Sequence, residues 1–242
     1  MPNTVFIGKD LPDGLDFAKA LSLSGRKLFT CTKLEADEAS FQSQNIFASS
    51  WNKSSAVSAY SFLLKAETKL QKINEVIFYF DTSYFCNKFD SDKTDEISAA
   101  MDTMFYPYMY ASSELLKRLE QTRERTVVSF LLKEYPSKHE MLSSKAPGGL
   151  AASTVVSAAQ AAFISMAESF SVNVSERNYL SVILARCNQA NELYKSEAAL
   201  ARWLSDSMES LLNQKNPQTI KQASVWNKAG SKIQSGFTLF SH

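Results

Sequence analysis

The chain of 242 residues is poor in the features that usually announce a chemistry. Its histidines are His139 and the terminal His242, and its three cysteines, Cys31, Cys86 and Cys187, show no paired spacing. Without a Cys/His cluster there is no zinc site of the usual pattern. Without paired cysteines there is no disulfide framework, and free thiols in a reducing compartment are expected. The formal net charge is only +1, so no strong field for nucleic acid or an anionic membrane is implied. The opening MPNTVFIGKD lacks a basic segment followed by a long apolar one, so no signal peptide is expected. No apolar run approaches the roughly eighteen residues of a transmembrane helix. The expectation is a soluble, cytoplasmic protein with neither nucleic-acid nor membrane partners.

What is present is apolar patterning. Hydrophobic residues make up 45% of the chain, enough for a sizeable core. Residues 4–8 (TVFIG), 26–32 (RKLFTCT), 44–51 (QNIFASSW), 74–85 (NEVIFYFDTSYF), 125–132 (RTVVSFLL), 179–186 (YLSVILAR) and 236–240 (GFTLF) read as strands. The longer ones are continuous apolar runs, as in strands buried on both faces. Between them lie helical stretches. In residues 14–25, Leu15, Ala18, Leu21 and Phe17 share a face and Gly25 suits a C-terminal cap. In residues 54–70, Ser54 or Ser55 caps a helix whose stripe runs through Val57, Tyr60, Leu64 and Ala66–Leu70. Residues 95–121 form a long helix that Pro107 kinks or breaks. Residues 155–170 (VVSAAQAAFISMAESF) form a core helix, with Phe163, Met166 and Phe170 facing inward, and residues 191–214 form another. Residues 133–150 and 217–230 read as loops. Connections of this length are crossovers, so the chain is expected to be one doubly wound α/β domain, residues 1–242, with about seven parallel strands and helices on both faces.

The order, spacing and helix texture of these elements resemble the short-chain dehydrogenase/reductase family over nearly the whole chain. The resemblance implies a Rossmann sheet, an NAD(P) cofactor and dimers or tetramers, but the residues at the family's functional positions differ. Where the family has three glycines in its phosphate-binding loop, this chain has GKDLPDG, with Gly8 and Gly14 at the first and third positions and Pro12 at the second. Proline has no N–H and a fixed φ. Asp10, Asp13 and Asp16 place negative charge at the helix start, where they would repel a phosphate; an acid-capped turn is the plainer reading. Thr32 and Lys33 stand where the ribose-binding residue belongs, and Ser50 where the adenine-contacting acid belongs. Tyr79 and Phe80 fall at the loop after the fourth strand, in space a cofactor would use. Arg186-Cys187 replaces Pro-Gly.

The catalytic Asn, Ser, Tyr and Lys of the family align with Met104, Leu132, Val156 and Gln160. Val156 has no proton to give, and Gln160 has no charge to stabilise a phenolate. The resemblance therefore implies a degenerate member: a binding, scaffolding or regulatory protein with no cofactor expected and NAD(P) disfavoured. It also implies a homo-oligomer through helices near 98–121 and 152–171. Two other readings stay open. One is an oxidoreductase with relocated groups, using Tyr135, His139, Lys133 or Lys138. The other is a sensor of another small ligand in the remnant cleft around Gly8, Pro12, Gly14, Thr32, Lys33, Ser50 and Tyr79. No metal site is indicated.

Overall fold

A computed structural model describes residues 1–33, 45–89, 94–143, 151–213 and 225–233. Seven strands form one parallel sheet: β1 (Asn3–Leu11), β2 (Lys27–Thr32), β3 (Ile46–Ser49), β4 (Glu75–Asp81), β5 (Thr126–Lys133), β6 (Leu180–Cys187) and β7 (Asn227–Lys228). Their order is β3-β2-β1-β4-β5-β6-β7, with every pairing parallel. The expected doubly wound fold is present. The helices are α1 (Leu15–Leu23), α2 (Ala56–Leu70), α3 (Thr82–Cys86), α4 (Thr94–Met104), α5 (Tyr106–Thr122), α6 (Lys138–Ser143), α7 (Thr154–Asn173) and α8 (Glu197–Leu212).

The continuous apolar runs follow from burial on both sides of the sheet. Alternate strand residues enter two separate cores. Val5, Ile7, Val76, Phe78, Phe80, Val128, Phe130, Leu132 and Leu184 pack under α2, α4, α5 and α7. Phe6, Ile77, Tyr79, Val127, Leu131, Ile183 and Ala185 pack under α1 and α8. Each fully buried aromatic or branched side chain of this kind contributes about 1.5–3 kcal/mol relative to leaving it exposed. At the opposite edge from the strand C-termini, Arg26 donates from Nε to Glu75 Oε2 at 3.0 Å and from Nη2 to Glu75 Oε1 at 3.1 Å. Both residues are fully buried, and Thr4 Oγ donates to the same carboxylate at 2.6 Å. A buried charge survives only with this kind of complete pairing.

The local signals resolve as follows. Ser55 is the N-cap of α2 and accepts from the Ser58 N–H. Gly25, just past the Ser24 cap of α1, takes φ +82°, which a side chain would resist. The helix expected around Pro107 is broken in two, α4 ending at Met104 and α5 starting with Pro107 in its first turn, where its missing N–H costs nothing.

Other expectations are corrected. The buried face of α2 is Ala59, Phe62, Leu63, Ala66 and Leu70, while Val57, Tyr60 and Leu64 are exposed. Both stripes have helical spacing, and the one carrying Phe62 faces Phe29 and Trp51. Tyr60 instead lies beneath the Arg118 guanidinium, 4.7 Å away. The run 74–85 is a strand only to Asp81; Asp81 then caps α3 by accepting from the Tyr84 N–H. The stretch 133–150 contains α6, and β7 falls inside the stretch read as a loop. The expected strand 236–240 and the APGG segment lie outside the described residues. On α7, Phe163 and Phe170 are buried but Met166 is only partly so. By length and composition α7 also passes for a membrane-spanning helix, a test that core helices pass as well; 33% of its most apolar 18-residue window is buried in the fold.

Candidate functional site

Strand order reverses at β1, with β2 and β3 on one side and β4 to β7 on the other. Crevices for ligands in such sheets open at the C-terminal strand ends beside this switch point. The sequence delivers charge there. Lys9 and Asp10 lie near the end of β1, Asp81 ends β4, Lys133 ends β5, and Glu197 opens α8. Residues 188–196 connect β6 directly to α8 through a single 3-10 turn (Glu192–Lys195), and this brings Glu197 over the strand ends.

Lys9, Asp81, Lys133 and Glu197 form one closed network. Lys9 Nζ lies 2.5 Å from Asp81 Oδ2 and 3.1 Å from Glu197 Oε1. Lys133 Nζ lies 2.7 Å from Glu197 Oε1 and 3.6 Å from Asp81 Oδ2. Tyr79 OH reaches both Glu197 oxygens at 3.0 Å and Asp81 Oδ2 at 3.3 Å. Two cations and two carboxylates balance, and the group is largely shielded from water: the Asp81 side chain is 1% exposed, the lysines 10% each, and Glu197 21%. Burial alone would raise the Asp81 carboxyl, but Lys9 and Lys133 override it and hold it below the usual carboxylate range. Burial alone would lower the Lys133 ammonium, but Asp81 and Glu197 override it upward. Tyr79 is pushed far above the usual phenol range by burial and then by the two acids, so it stays a proton donor to them.

The turn between β1 and α1 is closed upon itself. The Gly14 N–H donates to the Asp10 carbonyl and the Leu15 N–H to the Pro12 carbonyl, both at 3.0 Å. The Gly14 and Leu15 amides, two of those that could face a phosphate, are thus already used. The retained glycines serve the backbone: a Cβ on Gly8 would stand 2.6 Å from the Tyr79 carbonyl oxygen, and one on Gly14 2.5 Å from the Lys9 carbonyl oxygen. Pro12 is exposed. Asp13 pairs with Lys33 at 2.5 Å and accepts from Tyr84 OH at 2.7 Å, and Lys88 donates to the same Tyr84 oxygen. Asp10 pairs with Lys53 at 2.8 Å. Two of the three acids that were to repel a phosphate, Asp10 and Asp13, are therefore paired with lysines, and the Tyr84–Asp13 bond ties α3 to the β1–α1 turn. Thr32 is buried at the end of β2, and Ser50 is half-buried after β3, its carbonyl accepting from Ser49 Oγ.

Tyr79 and Phe80 do not fill the crevice as rings. Tyr79 stacks on Phe17 at 4.9 Å in the α1/α8 core, and Phe80 packs against Phe85, Tyr108 and Phe163 in the other. A strand sends alternate side chains to opposite faces, so neither ring points along the strand axis. Only the Tyr79 hydroxyl reaches the site. Met104, Leu132 and Val156 belong to the core under α4, α5 and α7, each at most 1% exposed. Gln160 is a cross-brace. Its Oε1 accepts from Thr82 Oγ at 2.5 Å and from the Tyr135 N–H at 3.2 Å, and its Nε2 donates to the Tyr135 carbonyl. Of the relocated candidates, Lys133 enters the network, Tyr135 is held by its backbone to Gln160, and Lys138 and His139 are exposed on α6. Among the described residues no cluster of metal-ligating side chains is present. The cysteines are unpaired as expected.

Sequence reading missed Glu197 and the convergence of Lys9, Asp81 and Lys133. A signal was present: GKD, FYFD and FLLK each end a buried run in charge, and parallel strands bring such ends together.

No protein-family model matches the chain, and no curated protein does. Solved structures do. A short-chain dehydrogenase from Mycobacterium smegmatis superposes with TM-score 0.64 at 10% identity, over 96% of this chain and 93% of that one. A short-chain dehydrogenase/reductase from Serratia marcescens gives 0.58 at 11%, over 95% and 97%. An alcohol dehydrogenase from the archaeon Thermococcus sibiricus, complexed with 5-hydroxy-NADP, gives 0.53 at 16%, over 78% and 76%. The chain has the fold of the short-chain dehydrogenases/reductases.

Proposed function

We propose that this chain uses the short-chain dehydrogenase fold without the family's chemistry, as a non-catalytic binding or scaffolding protein. One observation carries the reading: the positions that align with the family's Asn, Ser and Tyr hold Met104, Leu132 and Val156, all buried in a single apolar core. None can exchange a proton, and none meets the crevice. The crevice itself does not suit NAD(P), because the loop amides of Gly14 and Leu15 already have carbonyl partners and Lys9 and Lys133 already have carboxylates. The free thiols fit a reducing, cytoplasmic setting. The test is intrinsic tryptophan fluorescence and thermal unfolding with NADH and NADPH, alongside turnover of either with a panel of carbonyl compounds. No shift and no turnover is the expected result; micromolar binding or turnover would sink it.

The scaffolding role has a natural surface, and we propose a homodimer through α5 and α7. Of the 20 residues of α7 only Glu168 is charged, and its outward positions include Ala158, Ala161, Ser165 and Ser169. Between α7 and α5 runs a groove of about 410 Å³ lined by Met109, Leu116, Ala162 and Met166 among others. A helix whose outward face is made of small, almost uncharged residues beside an apolar groove leaves room for a second helix to pack closely. Light scattering on the purified chain is expected to give twice the monomer mass, and Ala162→Arg to give monomer; a monomeric wild type refutes this surface.

A further inference from the structure

The carboxylate of Glu197 is held as a bound ligand would be. It receives Lys9 Nζ at 3.1 Å, Lys133 Nζ at 2.7 Å and Tyr79 OH at 3.0 Å. All three donors are rooted on the sheet, on β1, β5 and β4, and Lys9 and Tyr79 are buried outright. Glu197 itself comes from the first residue of α8, at the end of a nine-residue connection, and is the most water-exposed member of the group. The rigid half of the site is thus the receptor, and the half that can leave is the carboxylate.

We propose that Lys9, Lys133 and Tyr79 form a recognition site for the carboxylate of a small molecule, occupied in this state by Glu197 as a tethered competitor. The charges select the ligand. With Glu197 withdrawn, two lysines face only Asp81, which lies 2.5 Å from Lys9 and 3.6 Å from Lys133. One further negative charge neutralises the cradle, and a dianion overfills it beside a buried acid. A monocarboxylate fits; the dianion of inorganic phosphate, or a pyrophosphate, does not. Entry of the ligand frees the first turn of α8, so occupancy is read out by that helix. A tethered competitor weakens the free ligand by the fraction of time the cradle is open.

The proposal rests on the reading that this crevice is closed to a dinucleotide, and the experiment separates the two. Acetate is the probe, titrated calorimetrically against chloride at matched ionic strength and at a mildly alkaline pH where phosphate is the dianion. Glu197→Ala, checked for folding by circular dichroism, is expected to bind acetate saturably and at least tenfold more tightly than the wild type. Glu197→Ala/Lys133→Met is expected to lose that binding, and phosphate to fail to compete. A folded Glu197→Ala that ignores acetate, binding that survives loss of Lys133, or phosphate binding as tightly as acetate would each overturn the proposal. A second arm needs no variant: in the wild type, acetate is expected to accelerate hydrogen exchange at the first-turn amides of α8, and unchanged exchange at saturating acetate overturns it. NADPH binding by the wild type would overturn the closed-crevice reading while leaving the acetate arms to be judged on their own.

Discussion

Replacing Lys133 with methionine keeps the length of the side chain and removes its charge. Lys9 then stands alone between Asp81 and Glu197, and one buried negative charge is left uncompensated. Breaking a fully buried pair costs about 3–5 kcal/mol. Here the Glu197 side chain is 21% exposed, so water recovers part of that. We expect a loss of about 2–3 kcal/mol, a value also typical of one hydrogen bond to a charged group. For a chain of 242 residues each kcal/mol moves the Tm by about 2–4 °C, so Lys133→Met should melt about 4–12 °C lower. The double variant Lys133→Met/Glu197→Gln removes a cation and an anion together and leaves the Lys9–Asp81 pair intact. It should therefore be less destabilised than the single variant, with a coupling energy of about 1 kcal/mol or more in the double-mutant cycle. Thermal unfolding by circular dichroism or calorimetry measures both. A single-variant shift below about 1 °C, or a double variant with the sum of the two single effects, would show that the four charges do not act as one unit.

The pH profile follows from the same groups. The Asp81 carboxyl lies below its ordinary 3.8, so its contribution is fully present above the unfolded value and disappears as pH falls through the folded one. The Lys133 ammonium lies above its ordinary 10.5, so its contribution is present below that value and lost as pH rises through the folded one. Asp81→Asn should therefore flatten the acid limb of a Tm-against-pH curve, and Lys133→Met the alkaline limb; unchanged limbs refute the assignment. Glu75→Gln leaves Arg26, which is 1% exposed, with only the exposed Glu209 carboxylate at 3.9 Å, and should cost about 3–5 kcal/mol in urea unfolding, more than Lys133→Met; a loss under about 1 kcal/mol would contradict the buried pair. Gly8→Ala places a Cβ against the backbone of β4 and should cost about 1–3 kcal/mol by overpacking, and a neutral effect in the same assay would mean that β1 and β4 can separate locally.

Much of the architecture was legible because buried parallel strands leave a plain trace. EVIFYFD and TVVSFLLK are largely apolar between their end residues with no regular alternation, since their alternate residues feed two cores rather than one. Where two readings had the same period the sequence was ambiguous: α2 carries one stripe through Val57 and Tyr60 and another through Phe62 and Leu63, and only packing against Phe29 and Trp51 separates them. The helix α3 was hidden because its five residues are too few to show a helical period, and Tyr84 and Phe85 read as a continuation of β4 beyond Asp81, Thr82 and Ser83. The site was the least legible part. Lys9 and Glu197 are 188 residues apart, Lys133 and Glu197 are 64 apart, and no local pattern relates them. The resemblance could place Val156 and Gln160 where it expects Tyr and Lys, but the brace that Gln160 makes between Thr82 and Tyr135 could not be read, because it depends on where the start of α3 and the segment after β5 come to lie.

The account turns on the crevice at the switch point being closed to a dinucleotide by its own side chains. The direct measurement is calorimetric titration of the wild-type chain with NADPH and with NADH. We expect no saturable heat from either at concentrations up to about 1 mM, which corresponds to binding weaker than about −4 kcal/mol. A dissociation constant in the micromolar range for either cofactor would contradict the account.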